Sequence, residues 1–286
     1  MRVIISAGGT GGHIYPALAI INKIKEKEPD SEILYIGTTD RMEKDLIPSL
    51  GYKYEALEVK GLKRKITLEN IKTVTCFITA IKKAKIIIKD FDPDIVIGCG
   101  GYVTAPVIYA AKKLGKKTFI HEQNSVVGLA NKFLARYTDK VGVSFESTIK
   151  DFPKDKAILT GNPCSEKALS IKPTTKEKLG VNKDKKLVLI VMGSLGSRSI
   201  NDKIFSFVDK FRGKNYSVII VTGNSYYDKV KERRVPDNVK VVPFIYEMPS
   251  VMKITDLMVT RAGASTISEI TATLVPSIFI PSPYVV

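Results

Sequence analysis

The sequence predicts an α/β protein made of two doubly wound parallel-sheet domains, and three observations predict it. Short, continuous β-branched runs alternate with helical stretches through both halves: "RVIIS", "ILYIG", "DIVIG", "TFIHE" and "KVGVS" in the first, "KLVLIVMG", "SVIIVTG", "DLMVTRAG" and "PSIFIPS" in the second. Uninterrupted apolar strands of this length belong to parallel sheets covered by helices on both faces. Glycine-rich segments follow the strands at their carboxyl ends, where open parallel sheets bind ligands. Between the halves, residues 162–186 are polar, contain proline and lack strand signal, which marks a linker. The expected units are residues 1–161 and 162–286, both Rossmann-like, with a cleft between two facing crevices.

Composition narrows the class. The chain has 286 residues, 44% of them hydrophobic, and a mean hydropathy of +0.02, which suits a soluble globular protein with a core in each domain. No apolar run reaches the roughly 18 residues of a membrane span, and "MRVIISAGGTGG" passes straight into a glycine loop without a signal-peptide stretch. A cytoplasmic location follows as the expectation. Cys76, Cys99 and Cys164 are odd in number and lack CxxC spacing, so neither a disulfide framework nor a zinc site is expected.

The net charge of +16 favours a polyanionic partner. Residues 60–89 hold nine Lys/Arg against one Asp/Glu, which accounts for the whole excess of the first half. The charge is not interleaved with aromatic residues and tryptophan is absent, so nucleic-acid stacking is poorly supported.

The first loop, "GGTGGH" (Gly8 to His13), follows the opening strand and precedes a helix whose first turn is expected to hold Pro16. Glycines let backbone approach a ligand, and helix-start amides attract phosphate. The dinucleotide fingerprint GxGxxG cannot be laid on this loop, and no ribose-binding acid follows "ILYIG". His13 is one of two histidines; its position suits a general base or, equally, a capping role.

A second cluster, "GCGGYVTAP" (Gly98 to Pro106), repeats the strand-loop-helix placement. "HEQN" (His121 to Asn124) ends the next strand, and four successive polar residues there are expected to face the crevice rather than the core. "MGSLGSRSIN" (Met192 to Asn201) opens the second domain in the same way. "TRAGASTISE" (Thr260 to Glu269) places small residues at a helix start, suited to phosphate, with a carboxylate deeper in the helix, suited to ribose hydroxyls. "DFD" at Asp90 to Asp92 is the pattern of a metal-dependent sugar-nucleotide enzyme, but it precedes its strand, at the wrong end for the crevice.

Within "LKRKITLENIKTVTCFITAIKKAKIIIK", Leu68, Ile71, Val74, Ile78 and Ile81 form a helix-period stripe expected to be mostly core. The flanking lysines, with Phe77 and Ile87, fit either a solvated basic face or contact with an anionic membrane. The chain closes on "ATLVPSIFIPSPYVV", with no helix after its last strand, so the second domain is expected to be C-terminally incomplete.

"GGTGGHIYPALAI", "GCGGYVTAP", "HEQNSVVGLANKFLA", "TGNP", "GSLGSRSIN", "PFIYEM" and "TRAGASTISEI" occur in the order found in the MurG family, which the chain resembles from end to end. The resemblance implies a GT-B architecture and inverting transfer of GlcNAc from UDP-GlcNAc to undecaprenyl-diphospho-MurNAc-pentapeptide (lipid I). It implies no cofactor and no metal at the catalytic centre. The acceptor would occupy the N-terminal domain and the donor the C-terminal one, with the protein peripheral on the cytoplasmic face of the membrane.

By matching position, Thr10, Gly11 and Gly12 would line the acceptor diphosphate and donor sugar. His13 would deprotonate the acceptor 4-hydroxyl, with Tyr102, His121 and Glu122 beside it and Asn124 on the GlcNAc hydroxyls. Ser194 and Ala264, Ser265 and Thr266 would hold the donor diphosphate, the Ile245 backbone the uracil, Glu269 the ribose, and Arg261 the leaving group. Implied partners are the donor, lipid I, an anionic membrane surface and other cell-wall synthesis proteins, with no nucleic acid.

Three departures from the family pattern stand out: Ser165 replaces a usual arginine, Met192 a common glycine, and the family's segment beyond Ile280 that contacts the donor sugar is missing. The resulting expectation is weak donor binding, with activity lost where nothing takes the place of that segment. The nearest rival is another GT-B enzyme using a UDP-sugar on a lipid acceptor.

Overall fold

A computed structural model describes residues 1–61, 68–193 and 196–281, with side chains in the third helix described from Thr73 onward. The chain forms two compact units, Met1–Pro163 and Cys164–Val286. In the first, β1 (Arg2–Ser6), α1 (Gly11–Lys27), β2 (Glu32–Thr38), α2 (Glu43–Ser49), β3 (Lys53–Leu57) and α3 (Leu68–Phe91) come in order. They are followed by β4 (Ile95–Gly98), α4 (Thr104–Lys113), β5 (Lys117–Glu122), α5 (Leu129–Leu134), β6 (Lys140–Val143) and β7 (Ala157–Leu159). The second opens with α6 (Pro163–Ser170), β8 (Lys186–Val191), α7 (Arg198–Ser206), β9 (Tyr216–Val221) and α8 (Asn224–Val230). It continues through β10 (Val239–Val242), α9 (Met248–Met252), β11 (Leu257–Arg261), α10 (Ala264–Thr273) and β12 (Ser277–Ile280).

Both sheets are parallel among the described residues, ordered β3-β2-β1-β4-β5-β6-β7 and β10-β9-β8-β11-β12. Alternate residues of each strand feed opposite cores. Ile4, Leu34, Ile36 and Val96 pack on one face with Ala84, Ile88 and Ile108 of α3 and α4. Val3, Ile5, Ile33 and Tyr35 pack on the other with Ile14, Ala17 and Ile21 of α1. The second sheet divides likewise, with Leu187 and Leu189 on one side and Ile190 and Met192 on the other. A two-residue period buried on both faces is why these strands read as continuous apolar runs.

Three expectations change. Helix α1 begins at Gly11, so Pro16 lies in its second turn and leaves the Gly12 carbonyl without an i+4 amide. The segment taken as a linker is part of the second unit: Ser250 Oγ donates to Lys172 O, Thr174 N to Ser250 O, and Lys253 Nζ to Leu169 O and Ile171 O. In α3 the described part of the apolar stripe is only partly core: Ile81 packs against the core, half-buried. Val74 and Ile78 are about half exposed, while Ala80, Ala84 and Ile88 take the buried face; Leu68 and Ile71 fall outside the described side chains.

Candidate active site

In the first sheet β1 pairs with β2 on one side and β4 on the other, so the strand order reverses between β1 and β4. The two glycine loops leave the sheet at that reversal, the place where an open parallel sheet forms its crevice. They are tied together. Gly8 N donates to Gly100 O at 3.2 Å and Cys99 N to Ser6 O at 2.9 Å. Gly101 has φ +87°, and a Cβ there would lie 2.3 Å from the Gly8 carbonyl oxygen, so no other residue fits.

His13 stands in the first turn of α1, its ring over Gly100, where a Cβ would come within 2.6 Å of Cδ2. Its Nδ1 lies 3.1 Å from Gly8 O. A carbonyl can only accept, so Nδ1 carries the proton and the Nε2 lone pair is free in the neutral ring. Burial lowers the His13 pKa below the usual imidazole value, against the opposing pull of the Gly8 carbonyl and the Glu122 and Glu43 carboxylates. The ring is thus neutral at pH 7 and able to take a proton. Thr10 begins α1 with extended backbone and no side-chain cap, and the first turn holds no acid. Thr10 and Gly12 are exposed and Gly11 is buried, so the helix start presents backbone amides suited to an anion.

Three of the four "HEQN" residues are not where they were expected. His121, Glu122 and Gln123 are at most 2% exposed. They belong to the core because every charged or tautomeric group is matched. His121 Nε2 donates to Gly161 O at 3.0 Å, Nδ1 accepts from Gln123 Nε2 at 3.1 Å, and Gln123 Nε2 also donates to Cys99 O. Glu122 accepts from Asn124 N and Nδ2 through Oε1, and from Gly128 N and Asn131 Nδ2 through Oε2, all at 3.0 Å. Its carboxylate oxygens are thus fully engaged within the 122–131 segment. Asn124 is exposed, and Tyr102 is 61% exposed with its ring against Gly61.

Glu43 was missed. It is fully buried at the start of α2, and it accepts from Thr38 N at 3.1 Å, Thr38 Oγ1 at 2.7 Å and, through both oxygens, Gly9 N at 3.3–3.4 Å. Gly8 and Gly37 flank it, and a Cβ at either would strike it. Gly37, a lone glycine at the end of an apolar strand, was the signal in the sequence.

The second unit repeats the geometry. Its order reverses between β8 and β11, so Met192–Gly193 after β8 and Ala262–Gly263 after β11 leave the sheet side by side. Ser194 lies outside the described residues. Helix α10 starts after Gly263 with extended backbone, no side-chain cap and no acid in its first turn, and Ala264, Ser265 and Thr266 are half-buried. Arg261 donates from Nη1 to Ile280 O and Pro281 O and from Nη2 to Ser197 Oγ, which clamps the end of β12 to the loop before α7. Ile245 packs against the core beside the exposed Tyr246. Ser165 Oγ donates to Ser268 O, docking α6 on α10.

Glu269, in the second turn of α10, has no hydrogen-bond partner among the described residues, and burial pushes its carboxyl up to about 7 against the partial relief of Lys167. A half-buried carboxylate without a donor is poised to accept from a ligand. Asp92 pairs with Lys116 before β4, at the end of the sheet away from the crevice. Among the described residues no group of three His, Cys, Asp or Glu is gathered as a metal site.

Residues 3–143 match the glycosyltransferase family 28 N-terminal domain and residues 187–286 the family's C-terminal domain. The chain is 49% identical over 290 aligned positions to a Bacillus cereus protein and 48% identical over 289 to one from Leuconostoc mesenteroides. Both are named UDP-N-acetylglucosamine--N-acetylmuramyl-(pentapeptide) pyrophosphoryl-undecaprenol N-acetylglucosamine transferase, and each match covers all of this chain and 80% of the relative. The crystal structure of Acinetobacter baumannii MurG superposes with a TM-score of 0.70 at 27% identity, covering 100% of this chain and 80% of that one. A Neisseria meningitidis UDP-GlcNAc 2-epimerase, at 17% identity and a TM-score of 0.65 over 98% of this chain and 82% of that one, shares the fold. The chain belongs to glycosyltransferase family 28 and, within it, to the MurG family.

Proposed function

We propose that the protein transfers GlcNAc from UDP-GlcNAc to the 4-hydroxyl of MurNAc in lipid I, with inversion at the anomeric carbon. The observation that carries this reading is the His13 geometry on a chain of this family: a neutral imidazole with Nδ1–H fixed on Gly8 O and Nε2 free, beside an uncapped helix start. The acceptor oxygen attacks the anomeric carbon, its proton passes to Nε2, and the bond to the UDP oxygen breaks with its electron pair leaving on the diphosphate. Thr10, Gly11 and Gly12 meet the acceptor diphosphate, Asn124 bonds the GlcNAc hydroxyls, and Tyr102 lies beside them.

On the donor side the α10 start at Ala264, Ser265 and Thr266, with Ser194, receives the diphosphate. Its dipole supplies positive potential where negative charge develops, the work a metal does elsewhere. Glu269 accepts from the ribose hydroxyls, the Ile245 backbone reads the uracil, and Arg261 steadies the leaving group while tying β12 to Ser197. The first unit is the acceptor domain and the second the donor domain.

The acceptor is a lipid, and the α3 surface fits a peripheral membrane contact on the cytoplasmic face. Val74, Ile78 and Ile86 are exposed there beside an aromatic cluster of Phe77, Tyr109, Phe133 and Tyr137. Lys82, Lys113, Lys132 and Arg136 ring it with exposed positive charge. Among the described residues no helix is long and apolar enough to cross a membrane. The test is acceptor competition: with UDP-GlcNAc as donor, a short-chain lipid I analogue is expected to be glycosylated and diacylglycerol not. The reverse would favour the rival lipid glycosyltransferase reading.

A further inference from the structure

The loop that carries His13 is held from beneath by a buried charge. Among the described residues Glu43 has only neutral hydrogen-bond partners, Thr38 N, Thr38 Oγ1 and Gly9 N. A carboxylate fully removed from water without a cation is expensive, and a purely structural site would be met more cheaply by an amide or an apolar residue. The surroundings are nevertheless shaped around it. Gly8 and Gly37 leave the room that Oε1 and Cγ occupy, at 2.5 Å and 2.8 Å from where a Cβ would stand, and Tyr54 OH closes the site by donating to Thr38 O at 2.5 Å.

We infer that Glu43 is a positioning residue of the active site: its carboxylate fixes the Gly8–Gly9 segment whose carbonyl aims the His13 imidazole. The chain of contacts is short. Glu43 holds Gly9 N, the preceding residue's carbonyl Gly8 O holds His13 Nδ1, and Gly8 N is anchored to Gly100 O, under the same ring. The charge adds a second effect, because Glu43 and Glu122 are the two carboxylates whose fields favour the imidazolium that forms when His13 takes a proton. Orientation and field act together on one imidazole. The role in catalysis rests on the transferase reading above; the effect on His13 does not.

Glu43→Gln keeps the shape but removes the charge and one of the two acceptors that share Gly9 N–H, putting an amide donor in its place, which loosens the loop. Folded Glu43→Gln is expected to lose about 100-fold in kcat, the scale of a catalytic group misplaced by about 1 Å, with KM for UDP-GlcNAc within about twofold of wild type. The NMR titration of the His13 ring, recorded without substrate, is expected to move to lower pH. Ile88→Val, which weakens the α3 core away from the loop, calibrates simple destabilisation: at an equal fall in melting temperature it is expected to keep kcat.

Wild-type kcat and an unchanged His13 titration in Glu43→Gln would overturn the proposal, as would an equal kcat loss in Ile88→Val. If Glu43→Gln does not fold, Thr38→Val, which removes one of the carboxylate's donors and leaves the charge, is expected to show an intermediate kcat loss; wild-type kcat there would overturn it. Absence of transfer by the wild-type enzyme would defeat the transferase reading and leave the histidine titration to decide on Glu43.

Discussion

Glu269→Gln should stabilise the second unit at pH 8 while weakening donor binding. The folded-state pKa of Glu269, about 7, exceeds the ordinary 4.5 because burial penalises the charged form. Between those values the folded protein holds a proton that the unfolded chain has released, so stability is fully present below pH 4.5 and falls as pH rises through 7. At roughly 1.4 kcal/mol per pH unit, the loss amounts to about 3 kcal/mol by pH 8. Glutamine avoids that charge but buries an amide with incomplete partners, at roughly 1–2 kcal/mol. The net expectation is a gain of about 1–2 kcal/mol at pH 8 and a loss of about 1–2 kcal/mol at pH 4. Urea denaturation of wild type and variant at the two pH values reads this difference directly. By contrast, UDP affinity should fall about tenfold or more, since hydrogen bonds to a carboxylate are each worth roughly 1.5–3 kcal/mol. A variant less stable than wild type at pH 8, or a stability difference that does not change with pH, would refute the reasoning.

Four further outcomes are expected. His13→Ala should lower kcat by about 10²–10⁴-fold, and the wild-type kcat/KM profile should fall on the acid side only below pH 6.5, because burial holds the imidazole of the free enzyme below its ordinary value. Gly100→Ala, at φ +101° with its Cβ 2.6 Å from His13 Cδ2, should cost stability by more than about 1 kcal/mol and reduce kcat with little change in donor KM, read by melting and steady-state assays. Glu122→Gln should destabilise by about 2 kcal/mol, since one of its two oxygens, each accepting two hydrogen bonds, is replaced by an amide donor that faces donors; denaturant titration checks it. Ile78→Asp should reduce binding to anionic vesicles in a sedimentation assay while leaving turnover on a soluble, short-chain acceptor unchanged.

The central strands were legible because they are buried on both faces and read as unbroken apolar runs. The strands that escaped notice, β3 ("KYEAL"), β7 ("AIL") and β10 ("VKVV"), are all sheet edges. An edge strand is half wet and short, so its pattern merges with the loops. Glycine loops at the strand ends were visible for the opposite reason: positive φ at Gly100 and Gly101 and close backbone approach leave no alternative residue.

Polar side chains were the harder reading. "HEQN" looks like a wet surface because polarity is all that a sequence displays, whereas the hydrogen bonds that make His121, Glu122 and Gln123 interior come from Cys99, Asn131 and Gly161, far along the chain. Glu43 was hidden likewise, being one acid among the charges of "TTDRMEKD" until β2 and the first glycine loop are brought together. The α3 stripe misled because periodicity tells which residues share a face and not which way that face points.

The most direct test of the account is single-turnover transfer of labelled GlcNAc from UDP-GlcNAc to a short-chain lipid I analogue in the presence of a chelator, with the product linkage read by NMR. The account predicts a β-linked product, formed without added metal by wild type and slowed by orders of magnitude in His13→Ala at unchanged donor affinity. An α-linked product, a requirement for divalent metal, or normal turnover in His13→Ala would contradict it.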